Sequence, residues 1–288
     1  MRTRFANTAV FISDEFMKRV QKDQDWYLFD PADTPDLPEL YGEEFSARYK
    51  EYIKLAEAGK LRVFEKTSAR QQFKQILTSL QATSHPWLTW KDTINVRALN
   101  NNTGTIHLSN LCTEITLPQD KDNIATCNLV SINLSAFLNE DKTWDWDRLK
   151  EASRAAVRQL DNLVDITQTP IPEAMHSNNQ TRAIGLGIMG FTDVLEKLGY
   201  CYESKESYNL IDTLTEFISY HAIDQSADLA QELGIYPTYK GSGWSKGILP
   251  IDTLETLSTD RKVKVKIDHK SSLDWDSLRV KVKKGRLR

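Results

Sequence analysis

The chain has 288 residues, 40% of them hydrophobic and 27% charged, enough for one large domain or two ordinary ones with a real core. Arg2, Arg4, Asp14 and Glu15 interrupt the segment Met1 to Phe16, and the longest uncharged stretch, Asn123 to Leu138, is rich in Asn, Thr and Ser, which argues against a secretory leader and a membrane span. The net charge of −3 hides a basic end, because Arg261 to Arg288 holds eleven basic and three acidic residues.

In chain order, Asn7 to Ile12 predicts a buried strand and Asp14 to Gln24 a helix with Phe16, Met17 and Val20 on one side. Pro31, Pro35 and Pro38 mark a loop. Gly42 to Lys60 predicts a helix with a stripe of Phe45, Tyr49, Ile53 and Leu55, and a second helix runs from a Thr67 cap through Phe73, Ile76, Leu77 and Leu80. From Lys91 to Ala136 helical periodicity disappears and Asn, Thr and Ser dominate, the character of an active-site loop region. Asp145 to Thr167 predicts a helix and Thr181 to Gly187 a short buried strand. A helix follows from Phe191, then a long one over Ser204 to Leu233. After the Gly241-Ser242-Gly243 loop, the basic end predicts a strand at Val263 to Ile267 and a helix at Asp274 to Lys284. Helices alternating with short buried strands imply an α/β architecture, with helices packed outside strands. Domain boundaries are not visible, and a cytoplasmic location is the default.

Three motifs bear on chemistry. Gly185-Leu186-Gly187-Ile188-Met189-Gly190 is a G-x-G-x-x-G between an apolar strand and a helix, which fits a pyrophosphate-binding turn or a close strand-to-helix packing turn. No clear apolar second strand follows, so a nicotinamide oxidoreductase is the weaker reading. The five histidines, His85, His107, His176, His221 and His269, show no metal-ligand spacing with one another or with cysteine. The informative cluster is Ser109-Asn110-Leu111-Cys112-Thr113-Glu114-Ile115, followed by Ala125-Thr126-Cys127-Asn128-Leu129.

In extended geometry Asn110, Cys112 and Glu114 project to one face. The thiol is a nucleophile or a hydrogen-atom donor and acceptor, the carboxyl a general base, and the amide a holder of a hydroxyl. Cys127 would bring a second sulfur for redox work if the chain folds back. The opposite reading, that both cysteines are ordinary small core residues, stays open on spacing alone. A thiol protease is disfavoured because no His base accompanies Cys112. Cys201 has no polar neighbours in sequence and reads as structural.

With S-N-L-C-T-E-I and A-T-C-N-L on the page, the sequence resembles the large, catalytic subunit of class I ribonucleotide reductase. The likeness extends to Phe16 to Val20, Tyr41 to Phe45, Pro172 to Ala174, Ile184 to Gly190, Tyr239 to Gly247 and Leu273 to Leu278. It implies that residues 1–288 form a partial catalytic domain, the middle portion of a ten-stranded α/β barrel, with Asn110 to Glu114 on the loop entering the barrel's centre. It also implies that Gly185 to Gly190 is barrel rather than dinucleotide fold.

By this resemblance Cys112 becomes the thiyl radical that abstracts the 3′ hydrogen of the substrate ribose. Glu114 takes the 3′-hydroxyl proton, Asn110 hydrogen-bonds the substrate, and Cys127 is one half of the reducing dithiol. The substrate is a ribonucleoside diphosphate. The implied partners are a radical-generating small subunit carrying a metal-based cofactor, and thioredoxin or glutaredoxin. ATP and deoxynucleotide effectors belong on parts outside this chain, which itself is expected to bind no metal or cofactor. The family's second redox cysteine and its nucleotide-binding cone lie upstream, and the phosphate-holding strand and loop downstream. The chain is therefore expected to be a central fragment, inactive without complementary large-subunit fragments. The rival expectation is an inactive remnant or a nucleic-acid-binding module using the basic end, although neither nucleic acid nor membrane is an expected partner.

Overall fold

The computed structural model describes residues 6–266, 270–285 and 287–288. In chain order its elements are β1 (Ala9–Ile12), α1 (Asp14–Gln21), β2 (Asp25–Phe29), α2 (Gly42–Glu57), β3 (Phe64–Ser68), α3 (Ala69–Thr83), β4 (Trp87–Trp90), α4 (Lys91–Arg97), β5 (Asn128–Asn133), α5 (Trp146–Ile166), α6 (Pro172–Thr181), β6 (Ile184–Met189), α7 (Phe191–Leu198), α8 (Lys205–Leu233), α9 (Thr253–Arg261) and α10 (Trp275–Gly285). The α/β character expected from sequence holds. Among the described residues the strands pair two by two, β1 with β4, β2 with β3 and β5 with β6, and no closed barrel forms. The described residues fall into two compact units, one up to residue 119 together with 250–266, the other 120–249 together with the residues after 269.

In the first unit β1 and β4 run parallel, Ala9 opposite Trp87 and Ile12 opposite Trp90, while β2 and β3 are antiparallel. The stripe of α2 closes on β2: Trp26 stacks on Tyr49 at 4.3 Å between ring centroids, and Tyr49 donates to the Tyr27 carbonyl at 2.9 Å while accepting from Tyr27 N at 2.7 Å. The Tyr49 hydroxyl thus replaces a strand neighbour for Tyr27. Asp92 on α4 is fully buried and holds two helix starts at once. Its Oδ2 accepts from Asp14 N at 2.6 Å and its Oδ1 from Gly42 N at 3.0 Å, the first residues of α1 and α2. Burial pushes this carboxyl's pKa up, against the pull of the two N–H groups. Ser68 rather than Thr67 caps α3, accepting from Gln71 N at 3.3 Å.

In the second unit β5 and β6 are parallel, joined by a crossover through α5 and α6. Ile132, Leu134, Leu149, Val194, Leu214 and Ile218 form the core. Burying each such side chain contributes about 1.5–3 kcal/mol. Asp145 caps α5 and Ser204 caps α8, as their positions before apolar-periodic runs predict. Arg154 on α5 bonds Asp228 on α8 at 2.6 Å, and Arg158 bonds Glu232 at 2.6 Å.

Arg182, at the left-handed end of α6, is buried between acids. Its Nη2 reaches Asp161 Oδ1 at 2.6 Å and its Nη1 reaches Asp165 Oδ1 at 2.5 Å, while Arg288 Nε bonds the other oxygen of Asp161 at 2.9 Å. Arg182→Ala leaves buried Asp161 with one cation, so unfolding in urea should show a loss of about 2–4 kcal/mol. The hydrogen bond from Arg182 holds the Asp165 carboxyl below its usual range. A lowered carboxylate contributes stability present above its unfolded value of about 3.9 and lost as pH falls through the folded one. That contribution shrinks in the variant, which keeps only the longer bond from Arg288 at 3.4 Å, so its acid unfolding should begin at higher pH.

The strand expected at Val263 to Ile267 does not form over 263–266, and Ile267 lies outside the described residues. Instead the Ser258 hydroxyl donates to the Val263 carbonyl at 2.6 Å and accepts from Val265 N at 3.2 Å, wrapping the segment round the end of α9. Much of the basic end is spent on the chain's own acids: Arg261 bonds Asp14 at 2.6 Å, Lys262 bonds Glu43 at 2.8 Å and Lys281 bonds Asp228 at 2.7 Å.

Candidate active site

Between α4 and β5 the backbone has no regular element beyond one short helical turn at Asn101–Thr103. The loop is entered through Ile106, which is buried and held by the side-chain amide of Asn95. Ile106 N donates to Asn95 Oδ1 at 2.7 Å, and Asn95 Nδ2 donates to the Ile106 carbonyl at 3.0 Å. This fully paired, buried amide performs the role of a strand neighbour. Nothing in the segment Thr-Ile-Asn-Val marks Asn95 as different from an exposed helical Asn, and the sequence reading missed it.

Residues 110–115 form a tight turn. Thr113 N donates to the Asn110 carbonyl at 3.1 Å, and Thr113 takes φ +68°, a left-handed conformation uncommon for a β-branched residue. Two side chains close the loop: Asn110 Oδ1 accepts from Ile115 N at 3.1 Å, and Ser109 Oγ donates to the Ile115 carbonyl at 2.7 Å. Cys112 sits exposed at the tip with Leu111, and Glu114 is exposed as well. The pleated geometry expected for Asn110, Cys112 and Glu114 is therefore replaced by a turn, with Asn110 bonded within its own loop, to Ile115 N, instead of to a strand. The three side chains still share one five-residue loop. The Asn110 oxygen is occupied, and no acceptor among the described residues lies within hydrogen-bond distance of its Nδ2.

Cys127 belongs to the other unit, half-buried at the residue before β5, with its Sγ 3.7 Å from the Asn128 carbonyl. Its neighbours are anchored. Asn128 Oδ1 accepts from Thr167 Oγ1 at 3.2 Å, and Thr126 Oγ1 bonds Asn178 Oδ1 at 3.4 Å. Cys201 is exposed. His107 bonds Glu39 at 3.2 Å. Among the described residues no three His, Cys, Asp or Glu side chains cluster to hold a metal ion, and no helix is long and apolar enough to cross a membrane.

The glycine motif is resolved by register. Gly185 and Gly187 lie inside β6, opposite Leu129 and Ser131, so they are not in a turn after the strand. Only Gly190 takes a positive φ, +74°, where it begins α7. A dinucleotide fingerprint needs its first glycines in the turn itself, where the backbone meets a pyrophosphate. Here they serve strand packing.

The family model for the ribonucleotide reductase barrel domain matches residues 1–288. The chain belongs to the ribonucleotide reductase family. It is 43% identical over 288 residues to the ribonucleoside-diphosphate reductase subunit alpha of Chlamydia pneumoniae, covering all of this chain and 28% of that protein. It is 38% identical over 280 residues to the large subunit of Caenorhabditis elegans, covering 97% of this chain and 34% of that protein. It is also 38% identical over 259 residues to the large subunit of Variola virus, covering 90% and 33%. The chain thus spans about a third or less of these reductase subunits. The barrel assignment accounts for the parallel β5–β6 pair and its crossover, which an α/β barrel requires of neighbouring strands.

Proposed function

We propose that this chain carries the radical-bearing part of a ribonucleoside-diphosphate reductase large subunit, an oxidoreductase that makes deoxyribonucleotides. The observation that supports it is the single loop holding Asn110, Cys112 and Glu114, closed by Ser109 and Asn110 onto Ile115. A thiyl radical at Cys112 takes the hydrogen atom from C3′ of the substrate ribose, forming S–H as C–H breaks. Sulfur suits this step because the two bonds are close in strength, so the transfer reverses. Glu114 accepts the 3′-hydroxyl proton while the 2′-hydroxyl, protonated by one of the two reducing thiols, leaves as water, and Asn110 Nδ2 donates to the substrate. Two thiols, one of them Cys127, supply the two electrons and become a disulfide. Cys112 then returns its hydrogen to C3′ and recovers the radical. The net change is ribonucleoside diphosphate plus dithiol to deoxyribonucleoside diphosphate, disulfide and water.

The radical originates on a small subunit carrying a metal-based cofactor, and thioredoxin or glutaredoxin reduces the disulfide. The second reducing thiol, the phosphate site and the ATP and deoxynucleotide effector sites come from complementary parts of the large subunit. The setting is the cytoplasm.

The test is turnover of a 3′-deuterated ribonucleoside diphosphate by a complete large subunit containing this segment, together with its small subunit. A primary isotope effect is expected on the reduction. Glu114→Gln should lower turnover by about 10²–10⁴-fold, the usual contribution of a positioned base, with little change in urea stability. Unchanged turnover in the glutamine variant, or the absence of any isotope effect on the reduction, would refute the assignment.

A further inference from the structure

In β6 and the residue that follows it two kinds of glycine occur. Gly190 is needed by its backbone, with φ +74°. Gly185 is not, because its φ lies outside the left-handed region and any residue could adopt it. What Gly185 provides is space. A Cβ placed on it would lie 2.4 Å from Leu129 Cδ2 and 3.5 Å from Cys127 Sγ. The first distance is a clash and the second is ordinary contact. The Leu129 side chain therefore leans across the strand pair into the volume that a methyl at position 185 would fill. Leu129 is 53% exposed, so burial does not force that rotamer. Side chains two residues apart in extended backbone share a face, and Cys127, just before β5, and Leu129, within it, meet at the same glycine.

We infer that Gly185 is a positioning residue for Cys127: by lacking a side chain it seats Leu129 against the strand pair and fixes the side from which the Cys127 sulfur is approached. This rests on the reading that Cys127 gives its thiol to the reduction. A methyl at position 185 dislodges Leu129 toward the sulfur and narrows the approach of the reacting group.

The experiment uses the chain with Cys112 and Cys201 changed to serine, which leaves Cys127 as its single cysteine. The rate of alkylation of Cys127 by iodoacetamide is followed across pH, separating the thiol's pKa from its limiting reactivity. Gly185→Ala should lower the limiting rate by about tenfold, the kinetic equivalent of overpacking by one methyl. Gly185→Ala with Leu129→Ala should bring it back to within about twofold of the parent, since the clashing atom is gone. Leu129→Ala alone, which only removes exposed surface, should raise the rate. A parental rate in Gly185→Ala, no rescue in the double variant, or an unchanged rate in Leu129→Ala overturns the inference. If Gly185→Ala does not fold, the Leu129→Ala and double variants still decide it. The underlying reading is tested separately by Cys127→Ser in the complete subunit. Dithiol-driven turnover surviving that change removes the redox role while leaving the alkylation results interpretable.

Discussion

Cys112→Ser in a complete large subunit should bring nucleotide reduction down to the background of the assay, a larger effect than the 10²–10⁴-fold expected of a missing general base. Serine keeps the size and polarity of cysteine but holds its hydrogen much more strongly than carbon does. An oxygen radical at this position could not be reached reversibly from a ribose C–H bond. The structure predicts that nothing else changes. The turn is closed by backbone and side-chain bonds among Ser109, Asn110, Thr113 and Ile115, and the exposed Cys112 side chain takes part in none of them. Urea unfolding of the variant should therefore stay within about 0.5 kcal/mol of the parent, as for other exposed substitutions. Full activity in the serine variant would remove the radical role from Cys112, and a large stability loss would mean that the turn is closed differently.

Asp92→Ala is expected to be the most destabilising single change in the first unit, about 3–5 kcal/mol in urea. It strands two backbone donors, one buried and one partly buried, at about 1–3 kcal/mol each, and removes an anion from two helix N-termini. The donors are Asp14 N and Gly42 N, and both lose their acceptor at once. Helix start α1 has a second cap in Ser13, which accepts from Phe16 N at 3.3 Å, whereas α2 has no side-chain cap at Tyr41. The damage should therefore concentrate at α2, where hydrogen exchange of the first turn should accelerate more than at α1. A loss below about 1 kcal/mol would show that water replaces the carboxylate, and the two-helix clamp would then be structurally incidental.

The long helices were legible because burial writes a 3.6-residue period into them and caps bracket it. Phe45 and Tyr49 in α2, Asp145 before α5 and Ser204 before α8 carry that signal. The short strands β2, β3 and β4 were not legible. Each has four or five residues, and β3 puts exposed Glu65 and Lys66 in its middle, so alternation never develops. Their pairing comes from partners far along the chain, as when Trp26 meets Thr67. Helix α4 was missed for a related reason: its Asp92 and Asn95 are polar yet buried, engaged with other segments instead of presenting an apolar stripe. At the candidate site the residue types were readable from the motif, but not their geometry. Whether Asn110 bonds to a strand or across its own turn to Ile115 depends on Thr113 entering the left-handed region, and neither composition nor spacing encodes that choice.

The ion pairs that fasten the basic end also mute four of its eleven cations at a distance. Arg261 lies 2.6 Å from Asp14, Lys262 2.8 Å from Glu43, Lys281 2.7 Å from Asp228 and Arg288 2.9 Å from Asp161. Viewed from beyond about 10 Å, one Debye length at 0.1 M salt, each is a small dipole whose two ends cancel. A diffusing anion is therefore attracted by these four cations far less than their number implies.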